Sequence, residues 1–153
     1  MKLSSNLSLA EVTKSATAIK RDINNKPSTS HLKNLRTTAL MIFQPIRDHF
    51  AKPIAVTSGY RSLALNRIIG GSQTSQHSLG EALDLDADVY GGLTNQDIYE
   101  YIRDNLEFDQ LIHEFGDEDN PAWVHVSYRK GSNRNQLLRA STVSGRTKYQ
   151  AWI

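Results

Sequence analysis

Two short alternating stretches constrain this chain more than anything else in it. From Glu81 to Asp86, and again from Trp123 to Tyr128, polar and apolar residues alternate. Side chains on a β-strand point to opposite faces in turn. In the first stretch Ala82, Asp84 and Asp86 therefore share one face, with Leu83 and Leu85 on the other. In the second, Trp123, His125 and Ser127 oppose Val124, Val126 and Tyr128. Set side by side, the two strands hold Asp84 and His125 as neighbours. His77 stands just before the first strand, where Gly80 lets the chain turn back toward the same place.

Two imidazoles and one carboxylate form a donor set that zinc accepts. Three protein ligands leave a tetrahedral ion one open position for water or substrate, which separates a catalytic site from a closed structural one. The set points to a hydrolase built on one zinc ion. Each residue also has a plainer reading: a buried histidine bonded to a backbone carbonyl, or an aspartate capping a turn. Their occurrence together, in strand context, favours the metal.

The spacing Ser75-x-His77-x-x-Gly80-x-Ala82-x-Asp84, with the later Trp123-x-His125-x-Ser127, resembles the M15 family of zinc peptidases. That family spans D-alanyl-D-alanine carboxypeptidases, D-Ala-D-Ala dipeptidases, phage peptidoglycan endolysins and the zinc-bearing signalling domain of hedgehog proteins. The resemblance extends to Val56-Thr57-Ser58-Gly59-Tyr60-Arg61-Ser62 with Asn66, to Phe43–Arg47, and to the basic Asn135–Arg139 tail. It implies that His77, Asp84 and His125 are the zinc ligands. Arg61 would stand at the substrate pocket, where a guanidinium can grip a carboxylate with two parallel hydrogen bonds. Ser75 would contact substrate beside the ion.

Zinc lowers the pKa of bound water to about 7, and a nearby carboxylate then moves the proton to the leaving amine. In many family members that carboxylate lies three residues before the last histidine. Here that position is Ala122. In Asp109–Glu114, Gln110, Ile112 and Glu114 share a strand face, so Glu114 can reach the ion from a neighbouring strand. The hedgehog-like branch places its glutamate in the equivalent strand, which supports Glu114 as the base. Asp117, Glu118 and Asp119 are the runners-up, with a solvated loop before Asn120-Pro121 as their plainer reading. Asp86 is a candidate to orient a ligand histidine. His113, pointing away from Glu114, reads as a packed histidine. Trp123 either lines the pocket or packs beside the metal strand.

A chain of 153 residues implies one domain spanning 1–153. With no cysteine there is no disulfide framework, and a metal must be held by N and O donors. The net charge of +2 does not argue for nucleic acid. The basic tail, sparse in aromatics, reads as a solvated face. Met1–Leu9 lacks the apolar run of a secretory signal, and no stretch approaches a membrane span. The expectation is a monomer made in the cytoplasm, acting on the cell wall if released by holin-type export and otherwise staying cytoplasmic.

The rest reads as scaffold. A helix is expected over 8–21, opened by a Ser8/Glu11 capping box. An amphipathic helix is expected from Ser28 or Ser30 to about Phe50, kinked at Pro45. A strand over 53–57, a helix over 63–69, a helix from Thr94 to about Leu106, and strands over 108–114 and 123–128 complete the set. The fold class is α+β, with a small antiparallel sheet carrying the site and helices flanking it. The function expected is a zinc-dependent peptidase cutting the peptide stem of bacterial peptidoglycan, either as a D-Ala-D-Ala carboxypeptidase or as an L-Ala-D-Glu type endopeptidase. The alternative is a zinc-stabilised binding module of the same fold.

Overall fold

The computed structural model describes residues 1–153. The chain starts in a two-stranded hairpin, β1 (Lys2–Ser4) and β2 (Leu7–Ser8). Ser8 then caps α1 (Leu9–Thr13): its hydroxyl accepts the Glu11 N–H, and the Glu11 carboxylate accepts the Ser8 N–H at 2.8 Å. The single helix expected over 8–21 is broken. Lys14 is extended, and Ser15 caps a second piece, α2 (Ala16–Lys20), because its hydroxyl competes for the Ala18 N–H.

Helix α3 (Thr29–Thr38), capped by Ser28, passes through a π-helical turn at Ala39–Phe43 into α4 (Gln44–Phe50). The wider turn makes room for Pro45, which has no N–H to give and whose ring crowds the preceding turn. The kink expected at Pro45 is thus absorbed as a π turn. Strand β3 (Ala55–Ser58), helix α5 (Leu63–Ile68), a 3₁₀ turn at Gln76–Leu79 and strand β4 (Ala82–Asp86) follow. Helix α6 (Asn95–Asn105) opens with a Thr94/Asp97 capping box. Strands β5 (Gln110–Glu114), β6 (Trp123–Ser127), β7 (Gln136–Val143) and β8 (Arg146–Ala151) complete the chain.

The main sheet has six strands in the order β3-β4-β6-β5-β7-β8. It is mixed rather than wholly antiparallel, which corrects the expected sheet: β5 and β7 run parallel. Strand β6 ends beside the start of β5. The 128–135 connection carries the chain past that end, where Asn135 and Gln136 donate to the Phe108 and Asp109 carbonyls. The next strand can then only run alongside β5 in the same direction. The segment read from sequence as a solvated basic tail is therefore half of a β-hairpin. Its turn places Ser144 and Gly145 at φ of 51° and 76°, the left-handed pair that a two-residue hairpin needs.

One face of the sheet is apolar. Leu83, Leu85, Leu111, Val124 and Val126 are buried in one core with Ile42, Phe43 and Ile46 of the long helical segment and Ile98, Tyr99 and Ile102 of α6. Each such side chain contributes on the order of 1.5–3 kcal/mol by leaving water. His113 belongs to this face too. Its Nε2 meets Gln96 Oε1 at 3.1 Å, and its ring packs edge-on against Tyr99. No helix is long and apolar enough to cross a membrane.

The opposite face is set by register. Asp84 pairs with His125, His125 with Ile112, and Ile112 with Leu138. One same-face step along, Trp123 pairs with Glu114, Glu114 with Ala140, and Ala140 with Tyr149. Cross-strand partners project to the same side, so these two rows furnish the floor of a site.

Candidate active site

His77 lies in the 3₁₀ turn, and its direction is fixed by two features. Gly80, at φ 74°, closes the turn into β4, and a Cβ there would come within 2.5 Å of the His31 carbonyl oxygen. The His77 Nδ1 sits 2.7 Å from the Gly59 carbonyl oxygen. That contact assigns the proton to Nδ1 and leaves the Nε2 lone pair facing the sheet, the arrangement that fits an imidazole to be a metal ligand.

Three donor atoms then meet. His77 Nε2 is 3.3 Å and His125 Nδ1 is 3.0 Å from Asp84 Oδ1, and the ligand atoms of the group lie within 4.8 Å of one another. In a tetrahedral zinc site with bonds of about 2.0–2.2 Å, neighbouring donors stand about 3.3–3.6 Å apart. The spacing and the chemistry of the set therefore suit a small divalent ion, and this His–Asp–His group could hold one. Burial opposes charge on Asp84, but the two imidazoles outweigh it and hold the carboxyl below its ordinary value. Burial pulls His77 down and favours its neutral, ligating form.

Arg61 stands behind the carboxylate. Its Nη2 is 3.9 Å from Asp84 Oδ2, while Nε and Nη1 donate to Ser58 Oγ and Asn66 Oδ1 at 3.3 Å each. Two of its nitrogens are thus held by the strand and helix that flank it, and Nη2 has only the longer contact to Asp84. Ser75 lies on the rim of the same groove.

Glu114 ends β5 with 7 % of its surface exposed. Burial, and then the neighbouring Asp84 charge, push its pKa up to about 7, with His125 pulling the other way. A carboxyl poised there exchanges a proton readily near neutrality. It lines a groove of about 800 Å³ together with His77, Asp84, His125, Arg61 and Trp123. Trp123 does both jobs left open from sequence, lining the groove and packing on Phe115 with ring centres 5.3 Å apart.

Other candidates fall outside the groove. Asp86 does not orient a histidine; its Oδ1 accepts the Asp88 N–H and an Asn95 amide N–H, tying down the loop before α6. Asp117 caps its own loop by accepting the Asp119 and Asn120 N–H groups. Glu118 is exposed and pairs with Arg139 at 3.5 Å.

Sequence reasoning missed a buried latch. Asp109 receives Arg134 through Nε and Nη2 at 2.9 and 2.8 Å and the Gln76 amide at 2.9 Å, which ties the loop bearing His77 to the start of β7. It also missed Tyr149 and Thr147 of β8, which form the far wall of the groove. The Ser144-Gly145 turn between two strand-length segments was the available signal for them.

A family model described as Peptidase M15 matches residues 5–127. The chain belongs to the M15 peptidase family. No curated protein matches it. The mixed α/β architecture is compatible with an M15 fold. The matched segment contains Arg61, His77, Asp84, Glu114 and His125 and ends before the β7–β8 hairpin, so the Asn135–Arg139 part of the resemblance read from sequence lies beyond it.

Proposed function

We propose that this M15 family member is a zinc-dependent peptidase that cleaves the peptide stem of bacterial peptidoglycan. The observation that carries the reading is the open groove in which His77, Asp84 and His125 converge beside the buried carboxyl of Glu114. Zinc held by the three residues would polarise the scissile carbonyl and make water a better nucleophile at neutral pH. The rest falls to the chain. The Glu114 carboxylate takes a proton from the attacking water and passes it to the leaving amine nitrogen as the C–N bond breaks. Asp84, set between the two imidazoles, would supply the one anionic ligand of the three. Arg61 offers Nη2 to a substrate carboxylate or carbonyl, and Ser75 contacts the peptide at the rim.

If Arg61 receives a free C-terminal carboxylate, the enzyme trims terminal D-alanine. If the groove takes an internal segment, an L-alanyl-D-glutamate bond is cut instead. Muropeptides incubated with the zinc-loaded protein, with and without chelator, and then weighed by mass spectrometry test the proposal. A chelator-sensitive loss of one alanine supports the carboxypeptidase, and release of a whole stem fragment supports the endopeptidase. Unchanged muropeptides, from protein that carries its zinc, would make the chain a zinc-stabilised binding module.

A further inference from the structure

The groove's far wall is built by a segment outside the family match. Strands β7 and β8 form a hairpin at the sheet edge, and β8 is exposed along its length. The hairpin is held at its base by Trp152, whose N–H donates to the Leu137 carbonyl and whose ring carries the Arg139 guanidinium at 4.8 Å. That anchorage lies on the face away from the site. On the site face the hairpin presents Tyr149.

Its position follows from the register. Glu114, Ala140 and Tyr149 lie in one row across β5, β7 and β8. Two strand spacings separate Glu114 from Tyr149, about 10 Å between backbones. The intervening residue is an alanine with no exposed surface. A phenol can lean across so small a neighbour, and Tyr149 does line the groove with Glu114, Asp84 and His125. Partial burial on the groove side and the charges of Glu114 and Asp84 raise its pKa, so the phenol keeps its proton.

Most other polar side chains of the groove are already committed. Arg134 and Gln76 donate to Asp109, Gln110 is bonded to Gln136, and Ser72 to Thr74. Arg61 retains only Nη2, on the opposite flank next to Asp84. A carbonyl oxygen that gains negative charge here would share it with the ion, and a second donor from the β8 side, where Tyr149 is longer than its groove-lining neighbour Thr147, would add to that stabilisation.

We propose that Tyr149 is that donor: its phenol O–H hydrogen-bonds the carbonyl oxygen of the scissile peptide, and the bond strengthens as the carbon becomes tetrahedral. The proton stays on the phenol throughout. The role rests on the peptidase reading above, and it adds a substrate-contacting residue from the hairpin to the family's matched segment.

Tyr149→Phe tests it, because Tyr149 is 54 % exposed and its ring can be kept without refolding the hairpin. In the zinc-loaded protein, kcat should fall by about 10²-fold with KM nearly unchanged, the size seen when one donor to a developing oxyanion is removed. Affinity for a phosphinate analogue of the cleaved dipeptide, whose P–O⁻ mimics the tetrahedral oxygen, should weaken by a similar factor in calorimetry. Zinc affinity and melting temperature should stay at wild-type values. Wild-type turnover and phosphinate affinity in the variant would overturn the role of Tyr149 and leave the peptidase reading standing. A loss of activity that tracks a loss of zinc would overturn it as well. A zinc-loaded wild type that neither cleaves stem peptides nor binds the phosphinate of D-alanyl-D-alanine would remove the peptidase reading, and this role with it.

Discussion

Glu114→Gln in the metal-free protein is the sharpest test of the electrostatics at this site. Burial raises the Glu114 carboxyl from 4.5 to about 7, a shift of about 2.5. At 1.36 kcal/mol per unit this is on the order of 3 kcal/mol of preference for the protonated form in the folded state. Because the folded pKa lies above the unfolded one, this stability is fully present below the unfolded value. It is lost as pH rises through the folded one. Wild type should therefore weaken between acid and mildly alkaline pH, and the glutamine, which never ionises, should not. Urea unfolding of chelator-treated protein reads the difference. Glu114→Gln should exceed wild type by about 3 kcal/mol near pH 8.5, falling to about 1 kcal/mol near pH 5. A stability difference that stays constant across that range would refute the claim that Glu114 is held in a poorly solvated place beside Asp84.

Further expectations concern the same groove. With zinc bound, kcat/KM should rise with pH along a one-proton limb centred at or below about 7, since Glu114 must be ionised to accept a proton and a nearby cation lowers its pKa; a flat profile down to about pH 5 would contradict that assignment. Asp84→Asn should weaken zinc binding by at least about 10²-fold in a competition titration, because it removes the one anionic donor of the three. Gly80→Ala should cost about 1–3 kcal/mol in denaturant unfolding and lower zinc affinity together, since φ 74° and the His31 carbonyl leave no place for a Cβ and the turn aims His77. Asp109→Asn should cost about 2 kcal/mol, less than a fully buried ion pair because Arg134 is half exposed, by breaking the latch to Gln76.

The parts of the fold that were legible in the sequence are those governed by local periodicity. Alternation in 82–86 and 123–127 specifies which residues share a face, and the observed β4–β6 register sets Asp84 against His125 as that alternation predicts. The Thr94 and Ser8 capping boxes mark helix starts because each joins residues three apart. Glu114 was reachable for the same reason, since counting by two from Gln110 reaches it. What stayed hidden depends on pairing between distant segments. Nothing local in Gln136–Val143 indicates that it lies parallel to β5, and its mixed, half-exposed composition resembles a solvated strip. Asp109 and Arg134 are 25 residues apart, so no pattern within one element joins them. Tyr149 looks like an isolated aromatic until β7 places it one small residue away from Glu114.

The central claim is that one carboxylate does the proton work while three other residues hold zinc. The most direct test compares zinc content and muropeptide cleavage in Glu114→Gln and wild-type protein, measured on the same samples. The account predicts one zinc per chain in both, with cleavage by the variant reduced by about 10²–10⁴-fold. A zinc-loaded Glu114→Gln that cleaves at the wild-type rate would contradict it.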